Sequence, residues 1–182
     1  MDLKKLVNKG VDSLSPYEPG KPIEDLEREI GIKNAIKLAS NENPIGPSPK
    51  VLQSIDAILK ETHRYPDGNA TRLKDSIAKK FNTSPNQVTI GNGSNDIIEF
   101  IARSFLGPDD SAIYSEHAFA VYPLVVKAVG AKGIEVPAKD FSHDLEAMLK
   151  AIEKNTKLIF IANPNNPTGS FVELEELMDF LE

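Results

Sequence analysis

Residues 157–169 read KLIFIANPNNPTG, and the fold follows from how that stretch is interpreted. An apolar run of strand length, Leu158 to Ala162, stops at Asn163-Pro164-Asn165-Asn166-Pro167-Thr168-Gly169. Prolines and asparagines at this density forbid continuation as strand or helix. A buried strand therefore ends by delivering side-chain amides to one point. In parallel α/β sheets, ligands bind outside the carboxyl ends of the strands, so an Asn fixed between prolines there is placed to bond a ligand oxygen. The alternative is a polar turn that merely joins strand to helix.

Toward the N-terminus, strand-length and helix-length signals alternate. Val88 to Gly91 predicts a strand, Asn95 to Leu106 a helix ended by Gly107-Pro108, and Ser111 to Ser115 a strand. Ala118 to Val129 predicts a helix ended by Gly130, Gly133 to Val136 a strand, and Asp144 to Glu153 a helix. Beyond Gly169, Leu174, Leu177, Met178 and Leu181 begin a further helix near Glu173. This alternation predicts an α/β fold: a mostly parallel sheet with helices on both faces.

Upstream of Val88 the signals are helical. Ser84-Pro85-Asn86-Gln87 has the form of a capping box. Leu73, Ile77 and Phe81 share a helix face, and the turn Tyr65-Pro66-Asp67-Gly68 precedes them. Before that, Ser48 as N-cap and Pro49 at the first helical position open a helix carrying Val51, Leu52, Ile55, Ile58 and Leu59. Residues 1–48 are irregular, broken at Pro16, Pro19, Gly20 and Pro22 and again at Asn43-Pro44-Ile45-Gly46-Pro47, with a short helix at Ile23, Leu26 and Ile30 closed by Gly31. An arm with so little core of its own is expected to lie on something else, such as a second subunit.

Composition removes several function classes. Of the 182 residues 40% are hydrophobic and 26% charged, which suits a globular core. The net charge of −6, with no basic cluster to offset it, argues against a nucleic-acid surface. Cysteine is absent, which excludes disulfides, thiolate metal sites and a Cys nucleophile, and fits a reducing cytoplasm. His63, His117 and His143 lie far apart without metal-ligand spacing. The opening MDLKKLVNKG has no long apolar run after its lysines, and no stretch nears roughly 18 apolar residues. A soluble protein that is not exported is expected.

Two further segments carry chemistry. In Ile90-Gly91-Asn92-Gly93-Ser94-Asn95-Asp96 a strand end and two glycines lead into the first turn of a helix. Unpaired amides there, with the positive end of the helix dipole, bind phosphate. An acidic residue such as Asp96 is normal in a first turn. The segment lacks the third Gly of the dinucleotide fingerprint. In His117-Ala118-Phe119-Ala120-Val121-Tyr122 an aromatic follows a strand end, where it can stack on a flat ring; packing into the core is the alternative, above all for Tyr122. A phosphate cradle, a stacking ring and an Asn aimed at a ring oxygen are what pyridoxal phosphate requires.

These motifs, with Ala39-Ser40-Asn41-Glu42-Asn43-Pro44 and Tyr65-Pro66-Asp67, resemble the class I/II, fold-type I pyridoxal-phosphate-dependent aminotransferases. The resemblance runs from about Pro16 to the end. The nearest subfamily by Tyr17-Glu18-Pro19-Gly20 and by Lys37 to Pro49 is that of the histidinol-phosphate aminotransferases. The resemblance implies that the amides of Ser94, Asn95 and Asp96 hold the cofactor phosphate, that Phe119 stacks on the pyridine ring, and that Asn166 bonds its phenolic oxygen. Tyr65 would reach the cofactor phosphate of the neighbouring subunit, making a homodimer, and Tyr17 and Asn43 would lie near the substrate. It implies residues 1–48 as arm and small-domain segment and residues 49–182 as the first part of the large cofactor domain. The implied reaction is amino transfer between L-histidinol phosphate and 2-oxoglutarate.

In that family a Lys forms the Schiff base, an Asp pairs with the pyridine nitrogen and an Arg binds substrate, all in segments after Asn-Pro-Thr-Gly. Such segments do not follow here. Lys74, Lys79, Lys80, Lys127, Lys150 and Lys154 are expected on polar helix faces, and Lys157 opens a strand, whereas a Schiff-base Lys needs a dry pocket. The last helix runs to Glu182 without a C-cap signal, so the chain reads as the front part of a longer one, with no turnover alone and at best weak cofactor binding. Three rivals remain: an aromatic aminotransferase or threonine-phosphate decarboxylase, which would share nearly every motif; a nucleotide- or flavin-binding domain using Gly91 to Asp96; and a non-catalytic truncated subunit.

Overall fold

The computed structural model describes residues 6–7, 10–17 and 20–182. Most of the opening MDLKKLVNKG segment and the Glu18-Pro19 pair of the arm lie outside the described residues. The chain divides into two compact units, Glu18–Val88 and a second made of Met1–Tyr17 with Thr89–Glu182. Residues 49–88 thus share a unit with residues 20–48.

The Glu18–Val88 unit is helical. Helix α1, Ile23–Ile30, ends at Gly31, whose φ of 70° lets its amide turn back to the Glu27 carbonyl at 2.9 Å. Helix α2, Pro49–Ile58, starts with the predicted proline, although the Ser48 hydroxyl makes no capping bond; a 3₁₀ turn, Leu59–Glu61, continues it. Helix α3, Thr71–Phe81, is capped from a distance. Asp67 accepts from the Asn69 and Thr71 amides, both at 2.9 Å, and its carboxyl is held below the ordinary value by the Thr71 and Asn69 bonds. Ser84 and Gln87 form the expected capping box, but it opens only the 3₁₀ turn Pro85–Gln87.

The other unit carries the sheet. Its elements are α4 (Ser94–Phe105), β1 (Ser111–Ser115), α5 (Val121–Ala128), β2 (Lys132–Val136), α6 (Leu145–Lys150), β3 (Thr156–Phe160) and α7 (Leu174–Leu181). The strand order is β2-β1-β3 and both pairings are parallel. The middle strand is buried along its whole length, so its side chains build a core on each face. Ala112 and Tyr114 pack with Ala102, Tyr122 and Val126 of α4 and α5. Ile113 packs on the opposite face with Leu145 and Met148 of α6 and with Val172. A parallel sheet covered on both faces is the predicted architecture.

Three expectations shift. Val88 to Gly91 is not a paired strand: Val88 is extended, but no described strand bonds to the segment. Helix α5 starts at Val121 rather than Ala118, because a turn bonded from the Ala118 amide to the Ser115 carbonyl, with His117 at φ 55°, comes first. Strand β3 is Thr156–Phe160 rather than Leu158 to Ala162, because its ladder is set by β1: Ser111 pairs with Thr156 and Tyr114 with Phe160. The run Leu158 to Ala162 is half-buried rather than buried, and apolar character does not set the ladder, which needs a partner.

Candidate active site

Glycine geometry shapes the first segment. Gly93 has φ 81° and ψ −179°, a backbone open to glycine, and α4 begins at the next residue. A Cβ on Gly91 would stand 2.8 Å from Asp96 Cβ and 3.1 Å from Ile97 Cδ1, so only glycine lets the chain pass this close to the helix. Asp96 turns its carboxylate back, accepting from the Asn92 backbone amide at 2.8 Å and the Asn92 side chain at 3.1 Å. Residues 91–93 are thereby held in a loop ahead of the helix. The amides of Ser94 and Asn95 have no acceptor among the described residues, and both residues are exposed. Donors at the positive end of a twelve-residue helix, facing outward, can hold an anion.

The second segment follows β1. Phe119 is half-buried and meets Tyr122 edge to face, with ring centroids 5.9 Å apart at 89°. Tyr122 in turn stacks on Phe160 at 4.7 Å and 13°. Tyr122 is thus a core residue, and burial raises its hydroxyl pKa above the ordinary value. Phe119 is left at the edge of the aromatic stack. Ile98, one turn into α4, packs on the same cluster, which ties the first segment to the second.

The third segment follows β3, the neighbour of β1, so parallel pairing places the two loops side by side. Its three asparagines do three different things. Asn163 imitates a strand, donating to the Val172 carbonyl and accepting from the Val172 amide, both at 3.0 Å. Asn165 is buried and donates to the His117 carbonyl at 3.1 Å, joining this loop to the one that carries Phe119. Asn166 is half-buried, and its side chain has no hydrogen-bond partner among the described residues. Sequence reasoning singled out Asn166 but missed the work of Asn163 and Asn165. The missed signal was the repetition itself, since a turn needs fewer amides than this.

Ser94, Asn95, Asp96, Phe119 and Asn166 therefore gather at one end of the sheet unit. Tyr17 lies elsewhere on that unit, where it lines a groove of about 460 Å³ with Leu14, Arg103 and Leu124, none of them among those five. Asn43 and Tyr65 belong to the Glu18–Val88 unit. The Asn43 side chain is committed to its own turn, bonding the Ile45 amide and the Gly46 carbonyl at 3.1 Å each. Tyr65 is fully exposed. None of the seven lysines noted above is buried. Glu146 beside Lys150 raises the ammonium pKa above its ordinary value, the reverse of what a nucleophilic lysine needs.

Residues 33–182 match the family described as Aminotransferase class I and II. The chain belongs to this family. It is 56% identical over 181 residues to histidinol-phosphate aminotransferase 1 of Mannheimia succiniciproducens, covering 100% of this chain and 50% of that protein. The corresponding enzyme 1 of Nitrosococcus oceani is 53% identical over 177 residues, covering 97% of this chain and 48% of that one. Among solved structures, histidinol-phosphate aminotransferase from Sinorhizobium meliloti in complex with pyridoxal-5'-phosphate matches with a TM-score of 0.83 at 30% identity, covering 95% of this chain and 46% of that chain. A Thermus thermophilus aspartate aminotransferase shares the fold, with a TM-score of 0.74 at 23% identity over 96% of this chain and 49% of that one. This class I and II aminotransferase chain spans about half the length of the curated relatives it matches.

Proposed function

We propose that this chain supplies the cofactor side of an aminotransferase that moves an amino group between L-histidinol phosphate and 2-oxoglutarate. The observation that carries the reading is the convergence of three ligand-ready groups at the carboxyl end of a parallel sheet: the first-turn amides of α4, the Phe119 ring and the uncommitted Asn166 amide. Those groups fit pyridoxal 5'-phosphate. Outward amides at a helix start suit its phosphate, an aromatic face suits its flat ring, and an amide donor suits its phenolic oxygen. When bound, the cofactor supplies an electron sink for the substrate's α-carbon. Ser94, Asn95 and Asp96 anchor, Phe119 limits tilt, and Asn166 sets rotation about the anchored end. The choice of amino donor rests on relatives 53–56% identical that are named for histidinol phosphate.

The same reading assigns residues 1–48 to the arm and small-domain segment and residues 49–182 to the first part of the large domain. It gives Tyr65 to the cofactor phosphate of a partner subunit, which makes the enzyme a cytoplasmic homodimer, and it gives Tyr17 and Asn43 to the substrate side. None of the seven lysines noted above sits in the buried pocket that a covalent anchor needs, and on this reading the 182-residue chain alone turns nothing over. A chimera tests the donor: this chain is continued into the remaining half of the Mannheimia succiniciproducens relative and assayed with several amino donors. Transfer from L-histidinol phosphate to 2-oxoglutarate well above that from aromatic amino acids is expected. Preference for an aromatic donor, or decarboxylation of threonine phosphate, would replace the proposed substrate.

A further inference from the structure

Asn165 does more than end a strand. The residue is 4% exposed, and its Nδ2 has two protons and two acceptors: the His117 carbonyl at 3.1 Å and Thr168 Oγ1 at 2.9 Å. A carbonyl only accepts, so the amide orientation is determined. From Thr168 the network continues to Ser170 Oγ at 2.9 Å and from there to the Phe141 carbonyl at 2.7 Å. Phe141 also only accepts, so Ser170 gives its proton there and Thr168 gives its own to Ser170. Every hydroxyl in the network then has one direction: Asn165 to Thr168 to Ser170 to Phe141.

The ends of this network lie on different loops. His117 follows β1, residues 163–170 follow β3, and Phe141 stands in the turn after β2, closed by mutual bonds of Lys139 and Ser142 at 3.0 and 2.8 Å. The His117 and Phe141 rings meet at 5.2 Å, closing the circuit on the far side. The network therefore ties together the loops at the carboxyl ends of all three described strands. It also has a cost. Asn165 Oδ1 is buried with no donor among the described residues, so the amide is oriented by its two donor bonds at the expense of its acceptor.

We infer that Asn165 is a positioning residue: with Thr168 and Ser170 it sets the placement of the Phe119 loop relative to the Asn166 loop. Both protons of its own side-chain amide are engaged inside the protein, whereas Asn166, next in sequence, is left for a ligand. The role in cofactor placement rests on the reading given under Proposed function, but the tie between loops does not.

Hydrogen exchange resolved by segment tests this on the chain itself. The informative amides are Ala118 in one loop with Tyr122 at the start of α5, Asn165 and Gly169 in the second, and Lys139 and Ser142 in the turn, all of them bonded in the structure. Asn165→Asp removes the donors and Thr168→Val removes one link. Each should speed exchange in all three segments together by about tenfold or more, with 111–115 and 156–160 unchanged, and Thr168→Ser should restore wild-type protection. Loosening confined to residues 163–172 in Thr168→Val, with 116–122 at the wild-type rate, would overturn the inference, and it would do so even if Asn165→Asp proved too unstable to read. Pyridoxal phosphate provides a separate arm. Protection of 116–122 and 163–172 by the cofactor in wild type, lost in Thr168→Val and regained in Thr168→Ser, supports the positioning role. Absence of cofactor protection in wild type counts against the proposed function while leaving the loop coupling to be judged by the first arm.

Discussion

Strand β1 and helices α1 to α3 put their apolar residues to opposite ends. All five residues of β1 are buried, and the clusters on its two faces draw in α4, α5 and α6. Across the described residues of the Glu18–Val88 unit only Ala78 is buried, while Ile36, Leu38 and Ile45 are 86%, 95% and 91% exposed. Apolar periodicity says that a face exists. It does not say what covers it, and in this chain the faces that meet partners are those that flank the parallel sheet.

The contrast predicts where substitutions cost stability. Ile113 is fully buried between β1 and α6, and Ile113→Ala should cost about 2–5 kcal/mol, read as a lower denaturation midpoint. An Ile113→Ala chain as stable as wild type would break the comparison. Gly91→Ala places a methyl 2.8 Å from Asp96 Cβ and should cost about 1–3 kcal/mol, with loss of protection concentrated in the first turn of α4. At the other extreme, Ile55→Ala on the exposed face of α2 should stay within about 0.5 kcal/mol of wild type in the same experiment. A large cost there would mean that this face is covered in solution.

Acid sharpens the comparison, because each unit has a carboxylate whose hydrogen bonds hold its pKa down. Asp110 accepts from Lys157 Nζ at 3.0 Å and from the Gly107 amide at 2.7 Å, and these bonds hold its pKa below the ordinary 3.8, as the Thr71 and Asn69 bonds do for Asp67. A depressed folded-state pKa means that the unfolded chain takes up the proton first. The stabilisation is complete above 3.8 and is lost as pH falls through the lower folded-state value. Asp110→Asn should therefore lower stability at neutral pH and flatten the loss below pH 3.8, read by denaturant titrations at several pH values. An unchanged acid limb would show that the Lys157 pair contributes nothing in solution.

Much of the fold was legible because a parallel strand buried on both faces, as β1 is, leaves a plain trace. Ser111 to Ser115 was bounded correctly, and Gly31 and the Ser84 to Gln87 capping box ended or opened elements as their chemistry requires. Val88 to Gly91 misled because β character without a described partner makes no ladder. Strand β3 slipped by two residues because its register is dictated by β1, a tertiary fact absent from local sequence. At the candidate site, residue type and position single out Ser94, Asn95, Phe119 and Asn166, whose roles toward a cofactor belong to the proposal. The tasks of Asn163, Asn165 and Asp96 were not, since each depends on a group that the chain brings near only when folded: Val172, His117 and Asn92. Tyr122 carried the right alternative from the start, as a core aromatic stacked on Phe160.

The most direct measurement is an amide-resolved NMR titration of the chain with pyridoxal phosphate, with a flavin and a nicotinamide dinucleotide as comparisons. Saturable shifts confined to the Ser94, Asn95 and Asp96 amides, the Asn166 side-chain amide and the residues around Phe119, produced by pyridoxal phosphate alone, are predicted. The account is contradicted if pyridoxal phosphate shifts none of these groups, or if the dinucleotide or the flavin shifts Ser94 to Asp96 in its place.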